Sequence, residues 1–138
     1  MNEPHKINHL AIVVENMAEA LEFWRDTLGL QLDQVEEIPT EGARVAFLPI
    51  GDSRIELVEP ITSDTGLSRF LEKRGPGFHH LCFEVKNLAE KLQQLESAGV
   101  ELINPEPTRG SDGRLYAFLH PKSAGGVLIE LYQLPEED

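Results

Sequence analysis

The chain repeats itself. Sliding the 138-residue sequence along itself by 71 positions (80 − 9) lays HLAIVVENMAEAL, His9 to Leu21, on HLCFEVKNLAEKL, His80 to Leu92. Seven of those thirteen positions are identical, where ordinary residue usage would supply about one. At the same offset Ala46-Phe47-Leu48 falls on Ala117-Phe118-Leu119, and three residues further on Ile55-Glu56-Leu57 falls on Ile129-Glu130-Leu131. Such a period marks one supersecondary unit used twice. The expected modules are 3–60 and 76–134, joined by a short helix over 64–74 that Gly75-Pro76-Gly77 ends.

Both copies read in the same order. A short apolar run comes first, Ile7 to Val14 and Phe78 to Val85, suited to a strand. Asn16 and Asn87 then stand as helix N-caps ahead of apolar residues at helical spacing: Met17, Leu21 and Trp24, and Leu88, Leu92 and Leu95. Gly29 and Gly99 stop those helices. Three further strands are expected in each copy: Leu30 to Glu36, Arg44 to Leu48 and Ile55 to Glu59, then Glu101 to Ile103, Arg114 to Leu119 and Val127 to Tyr132. Prolines and glycines mark the turns. The fold class is α+β: two tandem βαβββ modules forming a curved, partly closed sheet with helices on its outer face.

Strand alternation sorts the side chains. Leu10, Ile12 and Val14 share one face and His9, Ala11 and Val13 the other, just as Leu81, Phe83 and Val85 leave His80 and Cys82 opposite. In the last strands Ile55 and Leu57, and Ile129 and Leu131, turn Glu56 and Glu130 away from the helix-covered face. Each module thus offers one His and one Glu at matching positions, and a pseudo-twofold would gather all four. A lone strand His or Glu is ordinarily solvated or hydrogen-bonded. Retention of both in both copies has no packing explanation, and two facing buried carboxylates need a cation between them. Two imidazoles and two carboxylates suit a divalent transition metal better than Ca²⁺ or Mg²⁺. His79 reads as structural and His5 as a solvated residue of the terminal segment, with Trp24 and Phe23 in the helix core and Cys82 a small core filler; Glu136-Glu137-Asp138 reads as an exposed tail.

Composition narrows the partners. Twelve basic against 24 acidic side chains give a net charge of −12, the wrong sign for nucleic acid or an anionic membrane surface. One cysteine excludes an intrachain disulfide and a thiolate zinc site. No apolar run nears the ~20 residues of a membrane span, and residues 1–15 carry no signal-peptide pattern, so a cytoplasmic protein is expected.

Paired βαβββ modules with His and Glu at the ends of each resemble the vicinal oxygen chelate superfamily, which includes glyoxalase I, extradiol dioxygenases and bleomycin-resistance proteins. Within it, INHLAIVVENMAEALEFWRDTLG, EGARVAFLPIGDSRIELVEP, FLEKRGPGFHHLCFEV and, above all, FLHPKSAGGVLIEL look like the methylmalonyl-CoA epimerase family. The resemblance implies that His9, Glu56, His80 and Glu130 hold the metal. The ion expected is Co²⁺, with Mn²⁺, Ni²⁺ or Zn²⁺ as alternatives. The implied reaction interconverts (2R)- and (2S)-methylmalonyl-CoA by removing the C2 proton through a metal-stabilised enolate. Glu130 is the leading acid–base residue, with Glu56 the second. Some of these epimerases carry a glutamate three residues after the glycine of the EGARV-like segment as the second base; this chain has Val45 there. Glu56, a metal-bound water or Glu41 would take its place. Lys122 and Ser123, with His120, are placed to touch the acyl or pantetheine portion of the acyl-CoA substrate. His120 and Lys122 read equally well as turn residues. A homodimer is expected by family analogy. The alternatives are a glyoxalase I-like lactoylglutathione lyase and a non-catalytic small-molecule-binding protein of the same fold.

Overall fold

A computed structural model describes residues 2–110 and 112–136. The chain divides into two compact units, His9–His79 and Met1–Asn8 with His80–Asp138. In the first unit, β1 (Lys6–Val13) leads to α1 (Met17–Leu21), β2 (Gln34–Ile38), β3 (Ala43–Ile50), β4 (Ser53–Pro60) and α2 (Gly66–Arg74). In the second, β5 (Gly77–Glu84) leads to α3 (Leu88–Ser97), β6 (Thr108–Arg109), β7 (Leu115–Leu119) and β8 (Ile129–Gln133). The strand orders are β2-β3-β4-β1 and β5-β8-β7-β6. Each module pairs its first strand in parallel with its last, β1 with β4 and β5 with β8, and its other neighbours antiparallel. Both are βαβββ, and the class is α+β.

The repeat is visible down to the caps. Asn16 and Asn87 each accept a hydrogen bond from the third residue of the following helix, Glu19 and Glu90. A second device, not anticipated, helps. Glu59 Oε2 accepts from Met17 N at 3.1 Å, and its repeat counterpart Gln133 Oε1 accepts from Leu88 N at 2.7 Å. The end of each last strand therefore satisfies an orphan donor of its own module's helix. Each helix then lays its apolar stripe on one sheet face: Met17 and Leu21 with Val14, Ala46, Leu48 and Leu57, and Leu88 and Leu92 with Val85, Ala117, Leu119 and Leu131. Burying each Leu or Met contributes about 1.5–3 kcal/mol.

Four expectations need correction. The first helix is α only to Leu21 and continues as a π-turn over Glu22–Thr27, with Leu28 N bonding Phe23 O at 2.7 Å. That wider turn leaves Trp24 packed on the core but Phe23 53 % exposed, so Phe23 is not helix core. β2 begins at Gln34, not Leu30, because Leu30 and Leu32 are spent packing under α1 and Leu30 N is tied to Trp24 O. Glu101–Ile103 is not a strand: Leu102 makes a single bridge to Leu119, and the short β6 lies beyond Pro105 and Pro107, which cannot donate to a ladder. Nor is the face opposite α1 bare of helix, since Leu67 of α2 packs on Ala11, Ala43, Val45 and Val58. The linker helix itself starts at Gly66, capped by Thr65, and ends at Gly75, as the glycine there predicts. Of the acidic tail, Glu136 is exposed and Glu137 and Asp138 lie outside the described residues. Among the described residues, no helix is long and apolar enough to cross a membrane.

Residues 2–8 fold onto the second unit. Glu84, almost wholly buried, receives Asn8 Nδ2 at 2.9 Å and Lys6 Nζ at 3.5 Å, with His5 Nε2 4.0 Å away. Its repeat counterpart in β1 is the buried Val13 (84 − 71).

Gly42 closes the β2–β3 turn at φ +62°, and a Cβ there would collide with Thr62 Oγ1 and approach Thr65 Cγ2 to 3.1 Å. Gly51 has a similar φ of +58° with open space around it. Gly51→Ala should therefore cost about 1 kcal/mol of backbone strain. Gly42→Ala should cost at least about twice that, because strain and crowding add. Urea unfolding of both variants measures the difference.

Candidate metal and active site

In the first module the parallel register sets His9 opposite Arg54 and Ala11 opposite Glu56. The Glu56 side chain reaches diagonally back, placing Oε2 3.3 Å from His9 Nδ1. His9 is 1 % exposed and Glu56 9 %. Arg54 Nε donates to the same Oε2 at 2.8 Å, and its guanidinium lies 4.9 Å over the ring of Phe47, which stands in register with Glu56.

The second module repeats this with other neighbours. His80 Nε2 lies 3.1 Å from Glu130 Oε1, and Glu130 is 5 % exposed. Phe118, in register with Glu130, meets the His80 ring edge-on at 5.5 Å, with Tyr116 beyond it at 6.3 Å. Cys82 is fully buried and stands in register with Glu130 on the parallel side. It fills space on the face it shares with His80, as strand alternation in the sequence implies. Further along, Arg114 stacks 4.9 Å over Tyr132 and donates to Asp112 at 2.9 Å. Burial works against its charge, but Tyr132, Asp112 and Glu130 outweigh that and hold its pKa above the ordinary arginine value.

Two carboxylates buried this deeply would be costly if left unpaired. In each module an imidazole nitrogen sits 3.1–3.3 Å from a carboxylate oxygen. Ligands held about 2.0–2.2 Å from one ion at right angles would be about 3 Å apart, so the spacing within each pair fits a metal edge as well as a hydrogen bond. Nitrogen with oxygen donors is the set that divalent transition ions take.

The other expected residues do different things. His120 Nδ1 accepts from Lys122 N at 3.0 Å and lies 3.4 Å from Glu101 Oε2, capping the short turn Pro121–Ala124. Ser123 Oγ accepts from Glu101 N at 2.9 Å, and Lys122 is exposed. Val45 is buried in an apolar cluster, and Glu41 sits exposed in the β2–β3 turn. His79 packs edge-on against Phe70 at 4.9 Å, away from the His80 face. Sequence reading passed over Arg54; its period-two spacing to Glu56 on one strand was the available signal.

Residues 8–118 match the Glyoxalase/Bleomycin resistance protein/Dioxygenase superfamily. The chain belongs to that superfamily. It is 37 % identical over 129 residues to the mitochondrial methylmalonyl-CoA epimerase of Mus musculus, covering 93 % of this chain and 72 % of that protein. A solved structure of a hypothetical protein from Bacillus halodurans C-125 superposes with a TM-score of 0.90 at 41 % identity, over 96 % of each chain. A variant methylmalonyl-CoA epimerase of Streptomyces coelicolor, in complex with 2-nitronate-propionyl-CoA, superposes at 0.88 with 32 % identity, over 97 % of this chain and all of that one. Within the superfamily the chain is an isomerase of the epimerase class.

A thiol with no exposed surface reacts only when the fold opens. Cys82 should therefore resist a maleimide at pH 7 in native buffer and label at least about a hundredfold faster in denaturing urea, followed by intact mass.

Proposed function

We propose that the chain epimerises methylmalonyl-CoA at C2, with His9, Glu56, His80 and Glu130 holding one divalent transition metal, Co²⁺ first among the candidates. The observation that carries this is the paired geometry: in each module an imidazole, buried for His9 and partly buried for His80, stands beside a buried carboxylate, 3.3 and 3.1 Å apart. Relatives named as methylmalonyl-CoA epimerases, similar over nearly the whole chain, support the substrate.

The chemical task is to remove a weakly acidic proton between a thioester and a carboxylate. When bound, the metal supplies Lewis-acid stabilisation of the negative charge that develops on the substrate oxygens. Glu130, with Cys82 and Phe118 in register on either side, exchanges the C2 proton. His9 and His80 would supply the nitrogen donors. Inversion needs a second proton carrier on the opposite face. Val45 cannot serve, and Glu41 lies in an exposed turn, so Glu56 is the remaining buried carboxylate of the set. Lys122, beside the capped turn at His120, is free to meet the anionic coenzyme.

Exchange of the C2 hydrogen for deuterium, followed by NMR across a metal series, tests the reading. Metal-loaded protein should exchange the C2 hydrogen and interconvert the epimers; no exchange with any of the four ions would overturn it. Glu130→Gln should lower turnover by about 10²–10⁴-fold, the usual worth of a positioned acid–base group. Glu56→Gln should raise the metal concentration needed for half-activity and, at saturating metal, also lower turnover.

A further inference from the structure

We propose that Arg54 is a positioning residue for Glu56: its hydrogen bond to Oε2 holds the carboxylate at the spacing from His9 that a shared metal needs. The inference rests on the metal reading above. Its own observation is that both close contacts of Glu56 fall on a single oxygen. Oε2 accepts from Arg54 Nε at 2.8 Å and lies 3.3 Å from His9 Nδ1.

Three features make Arg54 a built part of this arrangement. Two residues before Glu56 on one strand, it faces the same side, and the β1–β4 register sets it opposite His9. Its guanidinium is held over the Phe47 ring at 4.9 Å, and Phe47 is itself in register with Glu56, so arginine, ring and carboxylate fix one another. A guanidinium bonding a carboxylate fixes its orientation as well as supplying charge. The position also departs from the repeat. Glu56 and Phe47 recur as Glu130 and Phe118, whereas Arg54 recurs as Leu128 (54 + 74). The two carboxylates are alike in sequence and unequal in setting. Glu56 is held by Arg54, whose positive charge offsets part of its negative charge. With a divalent ion and both glutamates ionised, one net positive charge then remains to meet an anionic substrate.

Co²⁺ affinity, followed by titration of the ion's visible absorption, separates positioning from charge. Removing a nearby cation would by itself tighten a dication. Losing a hydrogen bond that orients a ligand typically weakens metal binding 10–100-fold. The substitution chosen is Arg54→Met, whose unbranched thioether still packs on Phe47. It should weaken Co²⁺ binding about tenfold, Arg54→Lys should recover to within about threefold, and in a Glu56→Gln background Arg54→Met should change affinity less than about twofold. Unchanged or tighter binding in Arg54→Met, or the same loss in both backgrounds, would overturn the proposal. If Arg54→Met does not fold, Arg54→Gln in the same two backgrounds gives the same comparison. No Co²⁺ binding by the unaltered chain would instead remove the metal reading on which this one stands.

Discussion

A carboxylate buried in a sheet face is costly, and each module of this chain carries one at the same place in its last strand. Glu56 and Glu130 are each at least nine-tenths buried. Left alone, either would forfeit several kcal/mol of solvation or give up its charge. Each is instead brought against an imidazole by the parallel pairing of its module's first and last strands. That pairing is what the βαβββ order achieves: the helix crosses over, the three later strands return, and the last lies beside the first. The surrounding polar contacts, and the chemistry available to the site, follow from satisfying those two charges.

The same order lets each last strand serve two ends. Its middle presents the glutamate to one face, while Glu59 or Gln133 at its end reaches the first backbone donor of the helix on the other. Around this common frame the copies have diverged where chemistry could use the difference. Arg54 and Leu128 flank otherwise equivalent glutamates, Ala11 and Cys82 stand in register with them, and the buried Val13 has become Glu84, which gathers the first residues of the chain.

Much of this was legible in the chain itself. The face assignments of His9, Ala11, Ile12 and Val14 need only the period of two, and they reappear in two separate apolar clusters. Asn16 and Asn87 cap the helices they precede. The failures share a cause. Leu30 and Leu32 look like strand residues because they are apolar, but they pack beneath α1 instead of extending a ladder. The π-turn at Glu22–Thr27 changes the helical period part-way, which exposes Phe23 and leaves Trp24 on the core. Glu101–Ile103 meets β7 at one bridge only, so its apolar residues record contact and not strand pairing. At Leu30, Leu32 and Leu102 the local pattern was right about packing and wrong about the element, and at Phe23 it was right about a helix and wrong about burial, because burial is settled by what lies across the gap.

Sequence alone determined the duplication, the βαβββ order and the presence of a His and a Glu on matching faces, because these depend on spacing and on the alternation every strand must obey. Tertiary structure decided which atoms meet. That Glu56 gives one oxygen to both His9 and Arg54, that Phe47 holds that arginine and that Cys82 stands beside Glu130 are outcomes of register between paired strands. A period of two says which side a residue faces. Only the pairing of one strand with another says what it faces there.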